Sequence, residues 1–286
     1  MSKASPKPGE AIAAAALRVA AAVAPHYVDR RVAHAFLTPR RPLNRPAALP
    51  PPDHAVRVRV DEMWIAAWKW GQGPAVMVVH GWEDDHRCFA PLIAALHARG
   101  QAVIAFDLPA HGHSDGQIAI LPTIARAISA VGAVLGPVTA LAGHSFGGAA
   151  VTYALANGAS AERVAIVAAP VSLAGALDLT VKRLRLSAER RAGIAAELHR
   201  RTGVTIESLD LEPLAARLDV PVLIVHSRDD RMVSLRAGER LAGAWPGAEL
   251  VIAEGLGHRR ILADREILER LTGFLVPEAT PLRASA

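Results

Sequence analysis

Short, continuously apolar runs recur along the chain from about residue 75 onward. They lie at 75–79, 102–106, 138–142, 164–169, 222–226 and 249–253. Runs of this length and composition are typical of strands that are covered on both faces of a sheet. Segments of helical length separate most of them, at 87–99, 122–135, 147–157, 235–244 and 263–275. The alternation predicts an α/β fold with a mostly parallel central sheet and helices on both of its faces.

An alternating pattern precedes these runs. In the segment AVRVRV, apolar residues alternate with Arg57 and Arg59, which we expect to face outward. The apolar segment MWIAAWKW follows after two acidic residues. Two such segments joined by a short polar connection predict an antiparallel hairpin ahead of the parallel strands.

One connection is too long for an ordinary crossover. About 50 residues without a strand signal separate the strand near 164–169 from the one at 222–226, and they include the charged, helical segment LTVKRLRLSAERRAGIAAELHRR. We therefore predict a helical insertion that caps one end of the sheet. The expected divisions are a basic helical and Pro-rich arm over 1–50, a core over 51–170 and 220–276, a cap over 171–219, and a flexible tail over 277–286.

Composition indicates a globular protein of a reducing compartment. The chain has 286 residues, of which 51% are hydrophobic, and Cys88 is its single cysteine. One cysteine cannot form a disulfide within the chain, which favours a cytoplasmic location. The alanine-rich N-terminal segment is interrupted by Arg18, and no apolar run reaches the roughly 18 residues that a spanning helix needs. We therefore expect neither an export signal nor a membrane span.

The positive charge is concentrated at the front of the chain. Residues 1–60 carry 10 Lys and Arg against 3 Asp and Glu, whereas the whole chain has a net charge of +5. A basic arm of this kind could contact nucleic acid or a membrane surface. No aromatic residues are interleaved for base stacking, so we expect a solvated arm and no nucleic-acid partner.

The segment LAGHSFGGAA places Ser145 within a G-x-S-x-G motif. It follows a predicted strand and precedes a predicted helix, which is the context that a nucleophile on a sharp turn requires. In an open parallel sheet, ligands bind beyond the carboxyl ends of the strands. Ser145 is therefore the predicted nucleophile.

A serine needs a base and an orienting acid to become nucleophilic. His258 follows the last predicted strand and a glycine-rich turn, and it is the predicted base. Asp229 and Asp230 follow the preceding strand. The spacing D-x-x-V favours Asp230 as the acid, with Asp229 as the alternative. We expect the side chain of His144 to point away from Ser145 across the tight turn.

The same sheet edge supplies candidate donors for an oxyanion. These are the backbone N–H of Phe146, directly after the serine, and that of Trp82, in the HGW segment after the strand at 75–79. A tight turn alone would also explain the His80–Gly81 pair. We interpret Cys88 as a packing residue of a predicted helix and not as a reactive thiol.

Taken together, HGW, FDLPAHGHSDG, GHSFGG, HSRDDRMVS and GLGHRRIL make residues 55–275 resemble the α/β-hydrolase superfamily, in the branch with a serine nucleophile and a small helical cap. The resemblance implies structural roles for Asp107, His111, His113 and Ser114. Ala110 replaces a glycine that is usual in this motif. Because dehalogenases and epoxide hydrolases of the fold place an aspartate where Ser145 stands, those activities are disfavoured. No metal or cofactor is expected.

These observations lead to one expected function and two alternatives. The first is a serine esterase that cleaves small to medium acyl esters through an acyl-enzyme. A second possibility is C–C bond hydrolysis or perhydrolysis by the same residues. A third is a non-catalytic ligand-binding protein on the hydrolase scaffold. The expected partner is a small-molecule ester, and the sequence leaves the oligomeric state open.

Overall fold

The computed structural model describes residues 19–41 and 48–277 of the chain. The front of the basic arm, the alanine-rich segment before residue 19 and residues 278–286 of the expected tail lie outside the described residues. In the part of the chain that is described, no helix has both the length and the apolar character needed to cross a membrane.

A central sheet of eight strands runs through the larger part of the protein. Its strands lie in the order β1-β2-β4-β3-β5-β6-β7-β8, with β1 and β2 antiparallel to their neighbours and the other pairs parallel. The mostly parallel sheet and the hairpin predicted from the sequence are therefore confirmed. The strands are β1 (His54–Val60), β2 (Met63–Trp70), β3 (Ala75–Val79), β4 (Ala102–Phe106), β5 (Val138–His144), β6 (Arg163–Val167), β7 (Val222–Ser227) and β8 (Glu249–Ala253).

The register of the parallel strands aligns their carboxyl ends. Val79 at the end of β3 pairs with Gly143 in β5, and His144 at the end of β5 pairs with Val167 in β6. Farther along the sheet, the last residues of β7 and β8 are also paired with each other. The segments that follow these strands consequently emerge along one edge of the sheet, where ligands bind in open α/β folds.

Helices connect the strands, mostly within two residues of the predicted bounds. The predicted helix at 87–99 is instead a 3-10 turn (His86–Phe89), capped by the Asp85 carboxylate, followed by a short α-helix that has a proline in its first turn. The helices of this larger unit are α2 (Ala90–His97), α3 (Leu121–Leu135), α4 (Phe146–Ala156), α7 (Leu211–Ala215), α8 (Leu235–Ala244), α9 (Gly257–Arg260) and α10 (Arg265–Leu275).

The core explains why the central strands are apolar throughout. Every residue of β3 and of β4 is buried. Alternate residues of both strands belong to one buried apolar cluster that also contains Phe89, Leu92 and Leu271. Because both faces of these strands are removed from water, continuous runs replace the alternation that is seen in β1.

The described part of the chain divides into two compact units, the larger of which comprises residues 39–41, 48–171 and 211–277. The other joins residues 19–38 to residues 172–210 and is helical. It contains α1 (Pro25–Leu37), α5 (Leu173–Leu184), α6 (Ala188–Thr202) and a 3-10 turn (Glu207–Leu209).

Helix α1 packs against α6 within the helical unit. Its buried face includes Val28 and Val32, and α6 contributes Ile194 and Leu198 to the buried residues of the unit. The two ends of the inserted segment meet in this unit, because the Ser172 hydroxyl donates to the carboxylate of Asp210 over 2.8 Å. An N-terminal helix and an internal insertion thus form one folded unit.

A buried ion pair also links α1 to α6. The Arg190 Nη1 donates to the Asp29 Oδ2 over 2.9 Å, and the side chains are 17% and 5% exposed. Burial raises the pKa of Asp29, whereas the guanidinium acts in the opposite direction. The pair is therefore needed chiefly because an unpaired carboxylate at this position would be costly.

Arg190→Met is expected to weaken the helical unit by about 3 kcal/mol, because it leaves the Asp29 carboxylate buried without its partner. The double variant Asp29→Asn/Arg190→Met is expected to recover most of this loss, since no charge is then buried. Amide hydrogen exchange of α1 and α6 measures both effects as changes in protection. A double variant as poorly protected as the single one would contradict the expectation.

Candidate active site

Ser145 occupies a sharp, strained turn between β5 and α4. Its backbone has φ 53°, in the left-handed region that side chains other than glycine rarely adopt. The Ser145 N–H donates to the carbonyl of Val167 in β6 over 2.8 Å, which fixes the turn to the neighbouring strand. The half-buried side chain therefore stands at the carboxyl edge of the sheet, as the sequence predicted.

The glycines of the motif are explained by close backbone approach. A Cβ atom on Gly147 would lie 2.0 Å from the carbonyl oxygen of Val79 at the end of β3. A Cβ atom on Gly143 would lie 2.6 Å from the carbonyl oxygen of Gly147. Helix α4 can consequently begin directly against β3 only if both positions lack a side chain.

The structure places His258 beside Ser145. His258 lies in the short helix α9, and its Nε2 is 3.0 Å from Ser145 Oγ. Its Nδ1 is 2.7 Å from Asp230 Oδ2, so the proton on Nδ1 donates to the carboxylate and leaves Nε2 free to accept from the serine. These three side chains form a continuous chain of hydrogen bonds.

Asp230 is held by more than the histidine. Its Oδ1 accepts from the backbone N–H of Met232 over 2.8 Å and from that of Val233 over 2.9 Å. Burial by itself would raise the pKa of Asp230, but the hydrogen bonds from His258 and from these amides keep that pKa below its ordinary value. The carboxylate is therefore ionised and can stabilise a positive charge on His258.

Asp229 occupies a different position. It is exposed, and its Oδ1 accepts from the Ser227 hydroxyl over 2.6 Å and from the Gly257 N–H over 3.2 Å. This carboxylate supports the turn that leads into His258 and makes no hydrogen bond to the imidazole among the described contacts. Of the two alternatives, Asp230 is the one that lies against His258.

The HGW segment follows β3 and passes next to Ser145. A Cβ atom on Gly81 would lie 3.0 Å from Ser145 Cβ. The side chains of Trp82 and Phe146 meet edge to face, with their ring centroids 5.3 Å apart. Phe146 begins α4, where the first N–H groups of a helix have no intrahelical acceptor. Trp82 and Phe146, whose N–H groups are the predicted oxyanion donors, thus lie next to each other in space at the same edge of the sheet.

His80 fixes the conformation of this segment. Its Nε2 accepts from the Leu108 N–H over 2.9 Å, and its Nδ1 donates to the Gly81 carbonyl over 2.8 Å. The ring is fully buried, and burial lowers its pKa. A neutral His80 therefore ties the loop after β3 to the loop after β4.

The loop after β4 is organised around a buried carboxylate. Asp107 Oδ1 accepts from the backbone N–H and ring Nδ1 of His86, and its Oδ2 accepts from the corresponding groups of His113. Burial raises the pKa of Asp107, but these hydrogen bonds outweigh it and hold the pKa far below its ordinary value. The Ser114 hydroxyl donates to the Asp107 carbonyl over 2.6 Å.

Two further residues of this loop adopt constrained positions. Ala110, which stands where a glycine is usual, has φ 65°. His111 is buried, and its Nε2 accepts from the Glu83 N–H over 3.1 Å while its Nδ1 donates to the Pro109 carbonyl over 2.9 Å. Burial lowers the pKa of His111 to about 3, so this ring is neutral.

One group of side chains near this loop could in principle hold a cation. Asp85, His86 and Asp107 bring one potential ligand atom each within 4.8 Å of one another. Asp85 is already paired with the Arg87 guanidinium, at 2.6 Å and 3.0 Å, and Asp107 with its histidines. Their hydrogen bonds explain the cluster without a metal.

Sequence reasoning missed contacts made by two buried histidines. His144 was expected to point away from Ser145; its Nε2 donates to the backbone carbonyl of His258 over 2.8 Å. His226, in β7, received no role; its Nε2 donates to the carbonyl of Val233 over 3.0 Å. No local pattern signals either contact, because the partners lie on other loops.

The chain matches a described protein family and is similar to several other proteins. Residues 76–270 match the family described as the Alpha/beta hydrolase family. Protein Rv2307c of Mycobacterium tuberculosis is 29% identical over 236 residues, which cover 77% of each chain. The pimeloyl-[acyl-carrier protein] methyl ester esterase of Xanthomonas campestris is 27% identical over 244 residues, which cover 72% of this chain and 96% of that esterase.

Solved structures show the same fold. An esterase from Exiguobacterium antarcticum superposes with a TM-score of 0.63 at 20% identity, covering 78% of this chain and 99% of that one. This superposition establishes the fold independently of the motifs.

Two other relatives match this chain only locally, over 23% and 24% of their own lengths.

Asp107→Asn is expected to destabilise the larger unit by about 2–4 kcal/mol at pH 7, because the new amide cannot accept all the hydrogen bonds of the carboxylate. A carboxyl group whose pKa is lowered on folding contributes stability above its unfolded pKa of about 4 and loses it as the pH falls. The difference between wild type and variant should therefore shrink below about pH 4, as measured by urea unfolding.

The exposed Asp61, which pairs with Arg126, provides the matched control. Asp61→Asn is expected to change the unfolding free energy by no more than about 0.5 kcal/mol. Equal effects of the two substitutions, or an Asp107→Asn effect that is independent of pH, would contradict the assignment.

Proposed function

The chain belongs to the alpha/beta hydrolase family, and from this premise we propose that it is a serine hydrolase that cleaves carboxylic esters through a covalent acyl-enzyme. The hydrogen-bonded chain Ser145–His258–Asp230 carries the proposal. The 3.0 Å between Ser145 Oγ and His258 Nε2 is short enough for proton transfer from serine to imidazole, and the 2.7 Å between His258 Nδ1 and Asp230 Oδ2 suits a carboxylate that orients the imidazole.

In the first step, Ser145 Oγ attacks the ester carbonyl while His258 Nε2 takes the serine proton. The imidazole then carries a positive charge, which the ionised Asp230 stabilises through the Nδ1 proton. The carbonyl π-electron pair moves onto oxygen, and we assign the Phe146 and Trp82 backbone N–H groups as its donors. One such donor typically contributes about 10²–10³ in rate.

Collapse of this intermediate breaks the bond to the alcohol. The alkoxide leaves with the proton held on His258 Nε2, and the acyl group remains on Ser145. Water then repeats the sequence, giving its proton to His258 as it attacks the acyl carbonyl. Release of the carboxylic acid returns the proton to Ser145. Every proton is thus accounted for by one imidazole, and the reaction as written uses no cofactor.

The activity for which one relative is named supports an ester substrate. That relative from Xanthomonas campestris is named as a methyl ester esterase. We propose a small-molecule ester with a small to medium acyl group as the substrate of this chain. A cytoplasmic location is part of the same proposal, on the basis of the single cysteine.

Ser145→Ala is expected to abolish labelling by a fluorophosphonate probe and to lower kcat on p-nitrophenyl esters by about 10⁶, because it removes the nucleophile. A graded ester series measures the acyl-length preference, with acetyl to octanoyl members expected to fall off as the acyl group lengthens. A folded wild type that neither labels nor hydrolyses these esters would contradict the proposal and favour a binding protein. Labelling without ester turnover would move the assignment to C–C substrates or peroxide.

The neighbouring aspartates offer a matched pair. Asp230→Asn is expected to lower kcat by about 10⁴, because the imidazole loses the charge that stabilises it and the partner that fixes its tautomer. Asp229→Asn is expected to lower kcat by less than about tenfold, which corresponds to the free energy of about one ordinary hydrogen bond. Initial-rate kinetics on the best ester measures both; a larger loss for Asp229→Asn would reverse the assignment.

A further inference from the structure

Two buried histidines beside the candidate site take no part in the mechanism above. His144 is 2% exposed and His226 is fully buried. Each uses one ring nitrogen in a hydrogen bond to a backbone carbonyl, and among the described residues the Nδ1 of each has no hydrogen-bond partner. A buried imidazole that satisfies only one nitrogen stabilises the fold poorly, so its position calls for another explanation.

We propose that His144 and His226 are positioning residues, which hold the backbone of the two loops that carry His258 and Asp230 through Nε2–H bonds to the carbonyls of His258 and Val233. The inference rests on the proposed function, because it concerns the geometry of the same three side chains.

His144 connects the nucleophile to the base. It directly precedes Ser145, and its Nε2–H reaches the carbonyl of His258, on a loop far along the chain, over 2.8 Å. The two imidazole rings are 4.8 Å apart between centroids. On the other side of the ring, a Cβ atom on Gly81 would lie 3.4 Å from His144 Nδ1. One ring thus contacts the serine turn, the histidine loop and the HGW segment.

His226 connects the sheet to the acid. It lies in β7, four residues before Asp230, and its Nε2–H donates to the Val233 carbonyl over 3.0 Å. The same nitrogen is 3.6 Å from Asp230 Oδ2. The Val233 N–H donates to the other carboxylate oxygen of Asp230. Fixing the peptide of Val233 therefore fixes a donor of the carboxylate as well.

Both rings are neutral. Around His144, burial is the largest effect, and together with the charges of His258 and Arg259 it outweighs the Asp230 carboxylate and lowers the pKa of His144 to about 3. Around His226, whose pKa burial also lowers, the charged or titratable groups are Asp230, His258 and Glu239. Protonation would add an N–H at Nδ1 without an acceptor among the described residues. In His226 this nitrogen faces Gly238, where an added Cβ atom would lie 2.8 Å from it.

Neutrality matters because the mechanism places a positive charge on His258. A second imidazolium at this distance would oppose that charge, whereas a neutral ring can hold the loop without doing so. In the Nε2–H tautomer, both rings then hold the backbone of their loops without adding charge. Their loss should affect the transition state more than substrate binding, since catalytic rates fall steeply when reacting groups are displaced.

Leu and Gln substitutions at both positions test the role. Leu removes the donor and keeps an apolar side chain, whereas the amide of Gln can place an N–H near the position of Nε2. His144→Leu and His226→Leu are each expected to lower kcat by about 10²-fold with KM within about twofold, and the Gln variants to recover at least tenfold of that loss. His97→Leu, at an exposed position at the end of α2, is the control and is expected to match wild type.

Rates are compared per folded molecule, with folding of each variant verified by circular dichroism and urea unfolding. A Leu variant with wild-type kcat would overturn the inference for its residue. Parallel loss in kcat and in stability that Gln does not rescue would also overturn it, since that pattern indicates a purely structural role.

Nitrogen-15 NMR of the histidine rings tests the contacts without any turnover. The wild type is expected to show both the His144 and the His226 ring neutral, with the proton on Nε2, at about pH 7–8, and His144 still neutral at about pH 5. A charged ring or an Nδ1–H tautomer would overturn the inference even in an active enzyme. A wild type with the expected tautomers but neither labelling nor hydrolysis would instead overturn the proposed function, and with it the positioning role.

Discussion

The strained backbone of Ser145 is the constraint on which the rest of the site depends. A left-handed conformation at a residue other than glycine costs about 1–2 kcal/mol, so neighbouring structure must impose it. The bond from its N–H to Val167 does so on one side, and the contact of Gly147 with the end of β3 does so on the other. Both depend on the register of the parallel strands, which brings the ends of β3, β5 and β6 level.

Neutral buried histidines are a recurring device around this turn. Burial lowers the pKa of four histidines near the site, and each of them donates a ring N–H to a backbone carbonyl. They are His80, His111, His144 and His226. Each carbonyl belongs to the segment that follows a strand. The rings therefore stabilise the loops at the sheet edge without adding charge, and Asp230 remains the nearby group whose charge complements an imidazolium at His258.

Much of this arrangement could be predicted from the sequence. The buried strands have no alternation, so their apolar runs stand out, and parallel strands leave the residues after them at one edge. That reasoning brought Ser145 and His258 to the same edge. The spacing after β7 favoured Asp230, which the structure places against His258, but spacing alone could not exclude Asp229, because both aspartates follow the same strand.

Contacts between loops that are distant in the chain have no comparable signal in the sequence. The bond from His144 to His258 joins residues more than a hundred positions apart, and a buried histidine has no periodic pattern to mark it. The pairing of Asp29 in α1 with Arg190 in α6 has no local signal either, because the composition of the basic front segment indicates only a solvated arm. Local signals define strands and turns, whereas these contacts arise only once the chain has folded.

The most direct test of the account is the mass of the protein during turnover. Rapidly quenched wild type, mixed with a p-nitrophenyl ester, is expected to carry one acyl group, which peptide mapping places on Ser145, and the adduct should decay at the rate of product release. Hydrolysis with no adduct under any quench time, or an adduct on Cys88 or another side chain, would contradict the account.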